Sequence, residues 1–165
     1  GSSVGVSKAA DREKLKAALT AAGKYDSKIL VEEFIRGKEI EVAVLGNKNP
    51  VASVCGEIDS GAEFYDYDAK YITDTSTAYI PARIPEDLQN RIREAAVRVF
   101  RAVGCQGLSR VDFFATEDDR LVFNEINTIP GFTSISMYPK LFEASGMPYS
   151  RLIDELLKLA LEAAQ

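Results

Sequence analysis

The sequence contains no histidine. A Ser-His triad, a histidine general base and imidazole metal ligands are therefore excluded within this chain. Cysteine is scarce: Cys55 and Cys105 are the only two, which do not make a disulfide framework and suit a reducing cytosol. No apolar run approaches the roughly 20 residues that a membrane helix needs. Basic residues are outnumbered, with 20 Lys and Arg against 25 Asp and Glu and a net charge of −5. Such a chain is not built to coat nucleic acid or an anionic membrane. Repeats and low-complexity segments are missing as well. What remains is an ordinary soluble composition, 46% hydrophobic and 27% charged, in 165 residues. That is one domain's worth of chain, long enough to bury a sizeable core.

The most informative stretch runs from Gly107 to Gly131. Two apolar runs flank Glu117-Asp118-Asp119-Arg120, which is turn chemistry, so the pattern predicts an antiparallel hairpin. A turn centred between Asp118 and Asp119 sets Asp112 opposite Glu125 and Arg110 opposite Asn127. Period-2 alternation then puts all four on one face. Facing carboxylates repel, and a divalent cation held by Asp112, Glu125 and the Asn127 carbonyl removes that penalty. Two carboxylates and an amide form an all-oxygen set that suits Mg²⁺ carrying substrate phosphates and water. The alternative is a solvated face on which Arg110 neutralises Asp112. Phe113, Phe114, Phe123 and Ile126 give the hairpin a buried side and favour a lined cleft.

Elsewhere the reading is coarser. Gly1 to Ser7 is a small, Gly-rich loop of the kind that brings backbone N–H groups and hydroxyls close to phosphate oxygens. Leu15, Ala18, Leu19 and Ala22 have helical spacing, with Asp11 as N-cap and Gly23 as stop. Ile29-Leu30-Val31 reads as a buried strand. Two further strands follow, Ile40 to Leu45 and Val51 to Ile58, about a turn at Gly46-Asn47-Lys48-Asn49-Pro50. Residues 59–77 break periodicity, and Phe64 to Tyr71 places three tyrosines and a lysine there; long irregular loops are often lids, although an aromatic-anchored surface loop reads the same way. Pro85 to Val103 is a helix with Leu88, Ile92, Ala95, Ala96, Val99 and Phe100 as its apolar stripe and Gly104 as its end. Cys105 is expected to be a buried small hydrophobe. Tyr138 to Ser145 and Tyr149 to Ala164 are the last helices, the latter with Leu152, Ile153, Leu156, Leu157, Ala160 and Leu161 inward. A central antiparallel sheet flanked by helices makes the class α+β.

The run Asn124-Glu125-Ile126-Asn127-Thr128-Ile129-Pro130-Gly131-Phe132-Thr133, with Ser109-Arg110-Val111-Asp112 before it and Ser134-Ile135-Ser136-Met137 after it, resembles the C-terminal ATP-grasp region of the D-alanine–D-alanine ligases. The likeness extends over nearly the whole chain. Other ATP-grasp enzymes keep the Asp…Glu-x-Asn set but generally lack the Pro-Gly-Phe-Thr continuation. The chain has no initiator Met and opens on Gly1-Ser2-Ser3-Val4-Gly5, which in that family lies well inside the protein. The resemblance therefore implies a C-terminal fragment, with residues 1–30 as the end of a central subdomain and the first-substrate site in an absent N-terminal part.

What the family implies for individual residues follows from matching positions. Arg110, Ser2, Tyr71 and the Gly131 N–H would be catalytic. Ser3, Glu32, Ile35, Glu39, Phe64, Lys70 and Phe114 would bind ATP: Glu32 and the Ile35 backbone at adenine, Glu39 at the ribose hydroxyls and Lys70 at the γ-phosphate. Ser136 and the Met137 N–H would bind the carboxylate of the second D-alanine. Asp112, Glu125 and Asn127 would hold two Mg²⁺ ions, with Mn²⁺ as a substitute. The Lys70-Tyr71 form of the loop favours an amine nucleophile over D-lactate. The implied product is the D-alanyl dipeptide of peptidoglycan synthesis, cell-wall biogenesis and cell shape, made in the cytoplasm by a homodimer. Rival readings are another carboxylate–amine or D-Ala–D-Lac ligase of the superfamily, and a non-catalytic nucleotide-binding module.

Overall fold

The computed structural model describes residues 4–59 and 77–164. Residues 4–35 belong to one compact unit, and Arg36–Asp59 with 78–164 to a second.

In the first unit, helix α1 spans Arg12–Ala22. Asp11 caps it in extended conformation, its carboxylate accepting from the Lys14 N–H at 2.8 Å, and Gly23 closes it. This satisfies one of the orphan donors of the first turn, as the sequence pattern predicts. The apolar stripe is at best half-buried; no residue of α1 is buried outright. The expected strand at 29–31 does not form. Leu30 is 74% exposed and Val31 65%, and no described strand pairs with them. A strand is completed by a neighbour's N–H and C=O groups, and an apolar run cannot specify that neighbour.

The second unit is built on a sheet of β1 (Lys38–Gly46), β2 (Val51–Asp59), β3 (Thr77–Tyr79), β4 (Gly107–Ala115) and β5 (Leu121–Asn127), in the order β3-β2-β1-β4-β5. β1 pairs antiparallel with β2 and β4, and β5 pairs antiparallel with β4. β1 is therefore central, and its alternation sorts side chains to two faces. Ile40, Val42 and Val44 face helix α2 (Glu86–Ala102), whose Leu88, Ile92, Ala96 and Phe100 complete that core with Val111 and Phe113. Each fully buried side chain of this size contributes about 1.5–3 kcal/mol. Ala43 and Leu45 face the other way, under Tyr138, Leu141 and Phe142 of α3 (Met137–Ala144) and Leu152 of α4 (Tyr149–Ala163). Glu39 and Glu41 share this second face.

Two side-chain bonds lock α3 to the sheet. The buried Tyr138 hydroxyl donates to the Val44 carbonyl at 3.1 Å. Opposite Ala43, β2 carries an extra residue at Ser53-Val54. The backbone groups that this bulge leaves unmatched find side chains instead: the Ala43 N–H donates to Ser53 Oγ at 3.0 Å, and the Val54 N–H to Ser145 Oγ at 2.8 Å. The last helix departs from expectation. Leu152 is buried, but Leu157 is 60% and Leu161 70% exposed, and Ala160 is exposed too. Leu156 and Leu159 make the remaining contacts, so the apolar stripe is wider than the face that the sheet covers.

Candidate functional site

The site grows out of the β4–β5 hairpin. Its loop is three residues, 117–119, closed by Thr116 N–H to the Arg120 carbonyl at 3.0 Å and Asp119 N–H to the Thr116 carbonyl at 3.1 Å. Asp119 takes the left-handed conformation, φ 58°, which Asp tolerates and which three-residue hairpins place at this position. The turn is thus centred on Asp118, not between Asp118 and Asp119 as expected. That alone would misalign the strands. A second departure compensates: Asp112 pairs with Glu125 and Phe113 with Phe123, leaving Asn124 as an extra residue. Beyond this bulge the register is the predicted one, with Asp112 opposite Glu125 and Arg110 opposite Asn127. On the far face Phe113 meets Phe123 edge-on, centroids 6.1 Å apart, although Phe123 remains 46% exposed.

The site residues converge as the register demands. The Arg110 guanidinium binds Asp112 bidentately, Nε to Oδ1 at 2.8 Å and Nη2 to Oδ2 at 2.7 Å. Asn127 Nδ2 donates to Asp112 Oδ2 and to Glu125 Oε1, both at 3.1 Å. Asp112 is only 2% exposed, so the solvated-face alternative does not describe it, although its pairing with Arg110 does. Burial works against the charge on Arg110, but the bonds to Asp112 and the nearby Glu41 outweigh it and hold the guanidinium protonated.

Sequence reasoning missed Glu41. It pairs with Asp112 across β1–β4 and with Gly56 across β1–β2, so Gly56, Glu41, Asp112 and Glu125 form one row over four strands. Glu41 is 6% exposed, and burial, then the charge of Asp112, pushes its carboxyl up to about 8 despite Arg110. The signal was present in the strand Glu39-Ile40-Glu41-Val42, whose two acids share a face. Only the β1–β4 pairing puts the second of them beside Asp112.

The α3 end of the row carries the other matched residues. A Cβ on Gly56 would lie 2.5 Å from Met137 Cε and 2.9 Å from Leu141 Cδ2, so α3 sits directly on this glycine. Ser136 precedes α3, and its hydroxyl turns back to accept from the Thr133 N–H at 3.0 Å. A Cβ on Gly131 would come within 2.9 Å of that hydroxyl. Phe132 anchors the loop between Tyr138 and Tyr149, at centroid distances of 5.7 and 5.5 Å. Gly131, Ser136 and Met137 are therefore held together beside the sheet. Glu39 and Phe114 pair with each other on β1 and β4, both half-buried. Glu32 and Ile35 belong to the other unit, Glu32 exposed and Ile35 half-buried. Ser2, Ser3, Phe64, Lys70 and Tyr71 lie outside the described residues. Cys55 is wholly buried, which pushes its thiol up to about 12, whereas Cys105 is only half-buried.

Residues 1–158 match the family described as D-ala D-ala ligase C-terminus. The chain belongs to that family. A D-alanine–D-alanine ligase of Chlorobium phaeovibrioides is 56% identical over 166 residues, covering 100% of this chain and 46% of the relative. The VanG D-Ala:D-Ser ligase of Enterococcus faecalis superposes with a TM-score of 0.88 at 43% identity, over 96% of this chain and 46% of that one. A D-alanine–D-alanine ligase from Bacillus anthracis, complexed with ATP, gives 0.77 at 30% identity, over 93% and 49%. This member of the D-alanine–D-alanine ligase C-terminal family thus spans about half the length of the relatives it matches. Among its described residues, no helix is long and apolar enough to cross a membrane.

The oxygen set fits a hard cation. Asn127 Nδ2 already stands within hydrogen-bond distance of both carboxylates, the point at which positive charge is most favourable, and exchanging the ends of the amide would present its oxygen there. No three acidic or cysteine side chains among the described residues converge as ligands by themselves.

Proposed function

We propose that this chain forms the nucleotide- and metal-binding part of an ATP-dependent ligase that joins two D-alanine molecules through a D-alanyl-phosphate, supplying peptidoglycan precursors in the cytoplasm. Residues 1–30 would close a central subdomain and the remainder would be the C-terminal ATP-grasp domain. The observation that carries this reading is the Arg110–Asp112–Glu125–Asn127 cluster on one sheet face, beside the loop that ends in Ser136 and Met137.

A carboxylate does not react with an amine at neutral pH until it is phosphorylated. That transfer depends on positioning and charge neutralisation more than on covalent help. Asp112 with Glu125, and Glu125 with Asn127, would hold two Mg²⁺ (or Mn²⁺) ions, which would supply the neutralisation of phosphate charge. Arg110, on the same strand face as Asp112 and Glu125, would face the oxyanion that forms when the amine attacks, with the Gly131 N–H as second donor. Ser136 and the Met137 N–H would bind the second substrate's carboxylate. Glu32, Ile35, Glu39, Phe114, Ser3, Phe64 and Lys70 would line the ATP site, and Ser2 and Tyr71 would complete the catalytic set. Homodimerisation belongs to the same proposal.

D-Serine is a second acceptor to consider, because one close structural neighbour is a D-Ala:D-Ser ligase. The test is product analysis with the full-length enzyme given ATP, Mg²⁺ and D-alanine, with D-serine and D-lactate as competing acceptors. D-Alanyl-D-alanine and ADP in equal amounts are expected. ATP turnover without dipeptide, or no turnover, overturns the proposal. The 165-residue chain alone should make no dipeptide.

A further inference from the structure

Glu41 is a buried acid that the proposed reaction does not use. It is 94% removed from solvent by its 6% exposure, and a carboxylate in such a place needs a partner. Among the described residues, its Oε2 finds no hydrogen-bond donor. Among the described residues, the cation beside it is Arg110, with Nε at 3.4 Å. Nε carries a single hydrogen, and that hydrogen is directed at Asp112 Oδ1 at 2.8 Å, while Nη2 is directed at Asp112 Oδ2 at 2.7 Å. Arg110 thus stands between two buried acids, bonded to one and merely adjacent to the other.

We infer that Glu41 is the alternative anchor of Arg110, a positioning residue that receives the guanidinium when a divalent cation takes Asp112. The inference rests on the metal reading proposed above. Arg110 and a metal ion compete for the same Asp112 oxygens. An arginine displaced from Asp112 with no other buried carboxyl to accept its Nε–H would lose its orientation or oppose the ion. With Glu41 at 3.4 Å, a small rotation moves the Nε–H from one carboxylate to the next, and Arg110 stays at the site. Glu41 is not a ligand in this scheme, in keeping with the failure of Glu41, Asp112 and Glu125 to converge as a three-acid cluster.

Mn²⁺ alone, titrated into the 165-residue chain and followed by the electron paramagnetic resonance of the free ion, tests this. Partners that orient a metal site typically change affinity tenfold to a hundredfold, so Glu41→Gln should weaken Mn²⁺ by about tenfold or more. In an Arg110→Met background the same substitution should change affinity by less than about twofold, because the two residues act as one unit. Equal affinity of wild type and Glu41→Gln overturns the inference. So does an undiminished loss in the Arg110→Met background, which would mean that Glu41 acts on the ion directly. Absence of saturable Mn²⁺ binding by the wild type overturns the metal reading and this inference with it. A readout independent of any variant is the Arg110 Nε–H resonance in the wild-type chain: it should shift yet stay protected from exchange as Mg²⁺ is added, and its loss to solvent exchange would count against Glu41 as anchor.

Discussion

Arg110 and Asp112 lie two residues apart on the same strand face and form a bidentate pair, with both bonds at 2.8 Å or shorter. The pair neutralises one of two facing acids, so the hairpin does not depend on a metal to fold. Asp112→Asn and Glu125→Gln should therefore leave the protein folded by circular dichroism while abolishing Mg-ATP-dependent turnover in the full-length enzyme. Near-normal turnover in either variant would remove the metal assignment. Melting in EDTA examines the same residues from the other side: Glu125→Gln, which leaves the Arg110–Asp112 pair intact, should not lower the midpoint.

Glu41 makes metal-free stability depend on pH in a defined direction. Its folded value, about 8 against an ordinary 4.5, means that the folded protein binds more protons between these limits. The contribution is fully present below pH 4.5 and is lost as pH rises toward 8. In EDTA the melting temperature should decline over this window, and the decline should be smaller in Glu41→Gln. Parallel curves for the two proteins would contradict the burial argument.

Glu57 predicts the opposite slope at acid pH. Its side chain is 3% exposed. It accepts from the Arg83 N–H at 2.9 Å and from Arg83 Nη2 at 2.7 Å, and pairs with Lys38 at 3.2 Å. Burial works to raise its carboxyl, but the Arg83 bonds and then Lys38 hold it below the usual range. Its stabilisation is present above pH 4.5 and is lost as pH falls through the lowered value. Arg83→Ala should lower the melting temperature at pH 7 and flatten the acid limb. An unchanged acid limb would show that Lys38 alone holds Glu57.

Gly56 links packing to the site. Alanine there would place a methyl 2.5 Å from Met137 Cε and 2.9 Å from Leu141 Cδ2, and overpacking of this kind costs about 1–3 kcal/mol. Because the Met137 and Leu141 side chains beside the proposed substrate loop must give way to admit it, Gly56→Ala should raise the KM for the second D-alanine more than that for ATP in the full-length enzyme. A uniform effect on both would return Gly56 to a purely structural role.

Most of the helices and the hairpin were legible in the chain. The α2 stripe, the Asp11 cap and the period-2 alternation of β1 and β4 are local patterns, written in residues a few positions apart. The pairing of Asp112 with Glu125 was legible too, although by two offsetting steps: the loop is centred on Asp118, and Asn124 adds the residue that restores the register. Residues such as Ser136 and Glu39 were named through family likeness, not through any property of their own spacing.

Other features were not legible, because they depend on what lies beside a segment in space. Ile29-Leu30-Val31 has a strand's composition but no described partner. Leu157 and Leu161 repeat with helical period past the edge of the surface that α4 covers. Glu41 reads as an unremarkable strand acid until the β1–β4 ladder sets it against Asp112 and Arg110. The amino-acid sequence by itself determined the helices, most of the strands and the side-chain oxygens of the hairpin, since these follow from short-range periodicity and side-chain type. Only the tertiary structure decided which acids share a dry environment with one arginine, since desolvation and charge pairing arise between strands that the chain keeps far apart.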